Sequence, residues 1–65
     1  MYGKRVSGIQ FLRTARGSLN ETETFLFISF GLNYIEKTTL DNLLAQSEEI
    51  SKMLNSLIKK LTPNP

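Results

Sequence analysis

Apolar residues recur at seven-residue intervals along almost the whole chain, and no proline interrupts them. The two prolines are Pro63 and Pro65, so nothing between Ser7 and Leu61 forbids a long helix. In the second half Leu40, Leu43, Ser47, Ile50, Leu54, Leu57 and Leu61 alternate spacings of three and four, a heptad seam in which only Ser47 is polar. Leu44 and Ile58 widen the stripe, as a bundle helix requires. Thr38 with Asp41 three residues on has the form of a capping box, Asp replacing Glu or Gln. Thr62-Pro63 supplies the stop. The pattern predicts a helix over about 38–61 and a tail at about 62–65.

The first half carries three parallel heptad ribbons: Leu12, Leu19, Leu26; Phe11, Ser18, Phe25, Leu32; and Ala15, Thr22, Ser29. Large and small ribbons side by side imply two packing surfaces with a close-approach groove between them. The run FLFISF at 25–30 has a strand-like composition, but the heptad spacing continues through it. One helix over about 7–32 is expected. Its weak point is Gly17, which costs about 1 kcal/mol relative to Ala; a fresh helix start at Ser18 with Glu21 is the alternative. The connection, about 33–37, is short enough to force the helices antiparallel. Asn33 tolerates the left-handed conformation that closes many helices, and Tyr34 and Ile35 are expected to fold back over the hairpin end. The fold class is all-α: one helical-hairpin domain spanning residues 1–65.

A hairpin shields one seam per helix. With the Leu12 ribbon packed on the Leu40-to-Leu61 seam, Phe11, Phe25, Leu32, Leu44 and Ile58 stay wet. Burying each contributes roughly 1.5–3 kcal/mol, and the five together on the order of 8–15 kcal/mol, the stability of a whole domain. A 65-residue chain normally needs a disulfide, a metal or a partner. It has no Cys and no His, which leaves the partner. These five residues are therefore the expected oligomer interface. Two hairpins completing a four-helix bundle, a homodimer, is the favoured closure, and a larger ring is the alternative.

Charge is sorted along the hairpin. Lys4, Arg5, Arg13, Arg16, Lys52, Lys59 and Lys60 fall at the end far from the loop, a sum of +7. Glu21, Glu23, Glu36, Asp41, Glu48 and Glu49 fall toward the loop against Lys37 alone, a sum of −5, which recovers the net +2. The seven cations form a candidate contact for RNA, DNA or another anion, with Arg13 and Arg16, one turn apart, able to clamp one phosphate. Two other readings stand beside it. The charges are an ordinary solubilising surface, with Lys52, Lys59 and Lys60 favouring the helix dipole and Glu48 with Lys52 an i,i+4 pair. Or the opposite ends of neighbouring copies pair with each other.

Catalytic chemistry finds no foothold. Without His or Cys no nucleophile–base pair is marked. Glu21 and Glu23, two apart on a helix, point about 160° away from each other. GKRVSG at 3–8 lacks the order of a phosphate-binding loop. No cofactor, metal site or small-molecule substrate is expected. No run of about 20 apolar residues exists to span a membrane. The basic N-terminus lacks an apolar run of signal-peptide length, and the absence of Cys fits a reducing cytoplasm, where the protein is expected to reside.

The segment FLRTARGSLNETETFL, 11–26, resembles the FLRIARGSLxETE segment of the four helix bundle proteins, also called 23S ribosomal RNA intervening-sequence proteins. EEISKMLNSLIKKL, 48–61, is similar to that family's last helix. Leu32-Asn33-Tyr34-Ile35 looks like its LGYI turn, with Asn33 where Gly is usual, and Tyr2-Gly3-Lys4-Arg5 looks like the YGR preceding its penultimate helix. The resemblance implies a longer protein with two further helices ahead of these, ending in an IAEG-like segment. Those helices are missing from this chain, and the stretch between Arg5 and Ile9 is about two residues short of the pattern. The chain thus looks like a truncated member keeping the last two helices. The family's genes lie within intervening sequences of ribosomal RNA genes and elsewhere in bacteria. Related accessory proteins of diversity-generating retroelements form basic pentamers that associate with a reverse transcriptase and nucleic acid. By resemblance Arg13 and Arg16 fall on basic positions of the family, and no catalytic residue carries over. The functional expectation is a non-enzymatic oligomeric helical bundle contacting RNA or DNA through its basic end. The alternative is an assembly module, or a fragment of a longer four-helix protein, with no nucleic-acid role.

Overall fold

The computed structural model describes the backbone of residues 2–63 and the side chains from Ser7 to Pro63. Two helices, α1 (Tyr2–Gly31) and α2 (Lys37–Leu61), pack antiparallel as a hairpin. The body measures 48 × 16 × 15 Å, one long helix in length and too thin to enclose an interior. Helix α1 begins earlier than the expected start near residue 7 and runs through Gly17 without a break. A methyl group at Gly17 would meet nothing within 4 Å, so no close neighbour demands glycine there.

The turn is a Schellman motif built on Asn33. Its φ of 63° is left-handed, the conformation in which Asn is the best substitute for Gly. The Tyr34 amide donates to the Ser29 carbonyl at 2.8 Å and the Asn33 amide to Phe30 at 3.0 Å, satisfying carbonyls that α1 leaves open. Tyr34 does not fold back: it is 78% exposed, while Ile35 is half-buried. The expected capping box also fails. The N-cap of α2 is Glu36, with no side-chain cap, which places Thr38 inside the first turn where its hydroxyl cannot cap. Asp41 instead takes an exposed ion pair from Lys37 at 3.3 Å. At the far end Thr62 adopts the extended backbone that Pro63 demands, and its amide and hydroxyl both donate to the Ile58 carbonyl, at 2.9 and 2.6 Å.

The seam of α2 is rotated from the expected one. Leu40, Ser47 and Ile58 are buried and Leu44, Ser51, Leu54 and Leu61 half-buried, whereas Ile50 and Leu57 are 47% and 45% exposed. The two phases share Leu40, Leu43, Ser47, Leu54 and Leu61, of which Leu43 is half-buried, and differ in whether Ile50 and Leu57 or Ser51 and Ile58 join them. Here the flank with Ser51 turns inward, so two small side chains, Ser47 and Ser51, face α1 and let the backbones approach. Ile58 is consequently buried and Leu44 half-buried within the hairpin, so neither stays wet as expected. Phe11, Phe25 and Leu32 remain 73%, 69% and 58% exposed. From α1, Ile9 is buried and Leu12, Ala15, Leu19 and Leu26 are half-buried against α2. Gly8 lies beside Leu61 and Arg16 beside Asn55, which fixes the register.

Candidate nucleic-acid interface

The seam divides the hairpin into two faces of opposite character. At 100° per residue, Thr22 lies about 60° to one side of Leu19 on α1 and Arg16 about 60° to the other. On α2, Ile50 lies about 100° to one side of Ser51 and Asn55 about 40° to the other. Thr22 and Ile50 share one groove with Leu19, Leu26, Leu43, Gln46 and Ser47, so they mark the same side of the hairpin. Phe11, Ser18 and Phe25 fall on that side of α1, and Leu43, Ile50 and Leu57 on that side of α2. This is the apolar face. The buried Ser47 hydroxyl lies at the groove with no hydrogen-bond partner.

The opposite face is polar at its end far from the turn, where Arg16 ties it together, and carries the 56% exposed Phe27 nearer the turn. The Arg16 guanidinium Nη1 donates to Asn55 Oδ1 at 2.7 Å across the seam. Arg13, Arg16 and Asn20 follow at i, i+3 and i+7 on α1, and Lys52, Asn55 and Lys59 at the same spacing on α2, so six side chains share this face. Among the described residues, no carboxylate lies within ion-pair distance of Arg13, Arg16 or Lys59. Lys52 takes Glu48 at 3.7 Å, with both side chains more than two-thirds exposed, a contact that adds little. Such an array presents amide and cationic donors to a row of anionic oxygens, and it offers no base, nucleophile or metal ligand set. Groups of three or more metal-binding side chains do not occur among the described residues.

The two halves match one known pattern. The family model described as 23S rRNA-intervening sequence protein matches residues 3–56, most of both helices and the turn between them. The chain belongs to that family. No curated protein and no solved structure matches it. In this intervening-sequence protein no described helix is long and apolar enough to cross a membrane.

Of the seven cations expected at the basic end, the structure brings Arg13, Arg16, Lys52 and Lys59 to one face. Lys60 points about 140° away from Asn55, onto another side of α2. The side chains of Lys4 and Arg5 lie outside the described residues. Arg16 is engaged by Asn55, so a two-arginine clamp with Arg13 would have to break or share that bond. Asn20 and Asn55 were not expected in the site. They carry no charge, and their signal is positional, the repeated i, i+3, i+7 spacing with the cations.

Proposed function

We propose that this intervening-sequence protein is a non-enzymatic helical scaffold, working in the cytoplasm, that self-associates through its apolar face and holds the opposite, basic face toward nucleic-acid phosphates. The observation that carries this reading is the division of the hairpin. Phe11, Phe25, Ile50 and Leu57 sit on the opposite side of the seam from Arg13, Arg16, Lys52 and Lys59, so association through that side leaves the four cations facing outward. The ligand class is RNA or DNA, and contact is to the phosphate backbone, because the stretches that carry the cations, 13–20 and 52–59, hold no aromatic side chain on which a base could stack.

The test is anisotropy of a labelled RNA as salt is raised. Binding is expected at roughly 50 mM salt and falls steeply above it, since each phosphate contact contributes about 0.7–0.9 to the logarithmic salt slope. Arg13→Gln with Lys59→Gln lowers that slope by about 2 and weakens binding without regard to sequence. No binding at low salt, or binding indifferent to the double change, refutes the nucleic-acid role and leaves an assembly module.

A further inference from the structure

Among the described residues, the Arg16–Asn55 hydrogen bond is the one side-chain bond that crosses the seam, Nη1 to Oδ1 at 2.7 Å. Arginine has no acceptor, so the carboxamide must turn its oxygen to the guanidinium and keep its NH2 group for another partner. The bond uses one guanidinium N–H, and the others stay available. Among the described residues nothing accepts from them or from the Asn55 NH2. The pair therefore presents donors only, held in place and without a counter-charge.

The register puts this pair at the centre of the basic array. The helices run antiparallel, so Arg13 falls level with Lys59 and Asn20 with Lys52, each three or four residues, about 4.5–6 Å, from the pair. The whole row is about 10 Å long, room for about three phosphates at about 3.4 Å each along one strand.

We propose that Asn55 is a positioning residue that holds Arg16 as the central phosphate donor of this face, and that the side chain at 55 has to be an amide because an amide orients the guanidinium without neutralising it. The proposal rests on the nucleic-acid reading above and names what governs its middle contact. A carboxylate at 55 would accept from Arg16 more strongly, so a pair that served only to tie the helices together would do better with Asp. The same carboxylate would cancel the charge a phosphate needs and repel the phosphate itself. As a tie, the exposed Arg16–Asn55 bond contributes little to the fold. Its effect falls on binding, because an arginine already held has less rotamer freedom to lose when the phosphate arrives.

Asn55→Asp removes no cation from the chain. Asn and Asp have similar helix propensities, so circular dichroism and the urea midpoint are expected to hold. Anisotropy of the labelled RNA at roughly 50 mM salt is expected to show a complex weaker by roughly 10- to 100-fold, the loss of one contact to a charged group. The salt slope is expected to fall by about 0.7–0.9, one phosphate contact. Lys60→Gln makes the same change in net charge away from this face and is expected to leave the slope as it is. Asn55→Ala leaves Arg16 charged but unheld, so binding should weaken by about 2- to 10-fold with no change in slope. If Asn55→Asp is indistinguishable from Lys60→Gln, or if Asn55→Ala binds like the unmodified chain, the assignment is overturned and the nucleic-acid reading stands. If the unmodified chain does not bind at low salt, that reading fails and this one with it.

Discussion

Phe25→Ala separates the stability of the hairpin from that of the assembly. The ring is 69% exposed, so only about a third of it is covered within one chain. Full burial of a Phe side chain contributes about 1.5–3 kcal/mol, and the covered third therefore contributes about 1 kcal/mol or less to the isolated hairpin. The uncovered part, about 1–2 kcal/mol per copy, is realised only on association. Two copies lose about 2–4 kcal/mol between them, a weakening of the dimer of roughly 30- to 1,000-fold. The assay is sedimentation equilibrium across a wide concentration range, paired with urea melts followed by circular dichroism at two concentrations. The unmodified chain should melt later at high concentration, because a partner that binds only the folded form stabilises it by mass action. Phe25→Ala should largely abolish that concentration dependence. The reasoning is refuted if the unmodified chain melts identically at all concentrations. It is equally refuted if the variant loses well over 1 kcal/mol under conditions where both proteins are monomeric.

Three substitutions test the local structure by urea melts at a fixed concentration. Gly17→Ala should stabilise by about 1 kcal/mol, since the methyl meets open space and the helix interior gains a better former; a loss there would mean that a neighbour approaches α1 at Gly17. Asn33→Val should destabilise by about 1–2 kcal/mol because a β-branched residue is forced to the left-handed φ of 63°, while Asn33→Gly should hold or raise the melting point. Glu36→Ser should stabilise by about 1 kcal/mol by giving α2 the side-chain cap it lacks; no change would indicate that the first turn is already satisfied by solvent.

The helices and the turn were legible because local rules set them. A proline-free heptad, a Thr-Pro stop and an Asn in place of a helix-closing Gly each specify their own backbone. The phase of the seam was not. Leu40, Ser47, Leu54 and Leu61 belong equally to a line through Ile50 and Leu57 and to one through Ser51 and Ile58. Hydrophobicity favours the first, whereas close approach of the backbones favours the second, and that preference depends on the volume α1 presents. The cap was misread for a similar reason, because Thr38 is a better cap than Glu36 only if the helix waits for it. At the basic end the charges were countable from the sequence, but their division between faces was not. Lys60 leaves the group and Asn55 enters it through the register that the hairpin adopts.

None of the described side chains is less than 2% exposed, and this has a consequence for amide exchange. In a single hairpin every backbone hydrogen bond lies one layer from water, so protection should fall away smoothly from mid-helix toward the ends, with no slow centre. A block of amides that outlasts the rest would therefore report what lies outside the chain. If such a block follows one flank of a helix, it traces the contact of whatever covers that flank, read from the rate at which deuterium fails to enter.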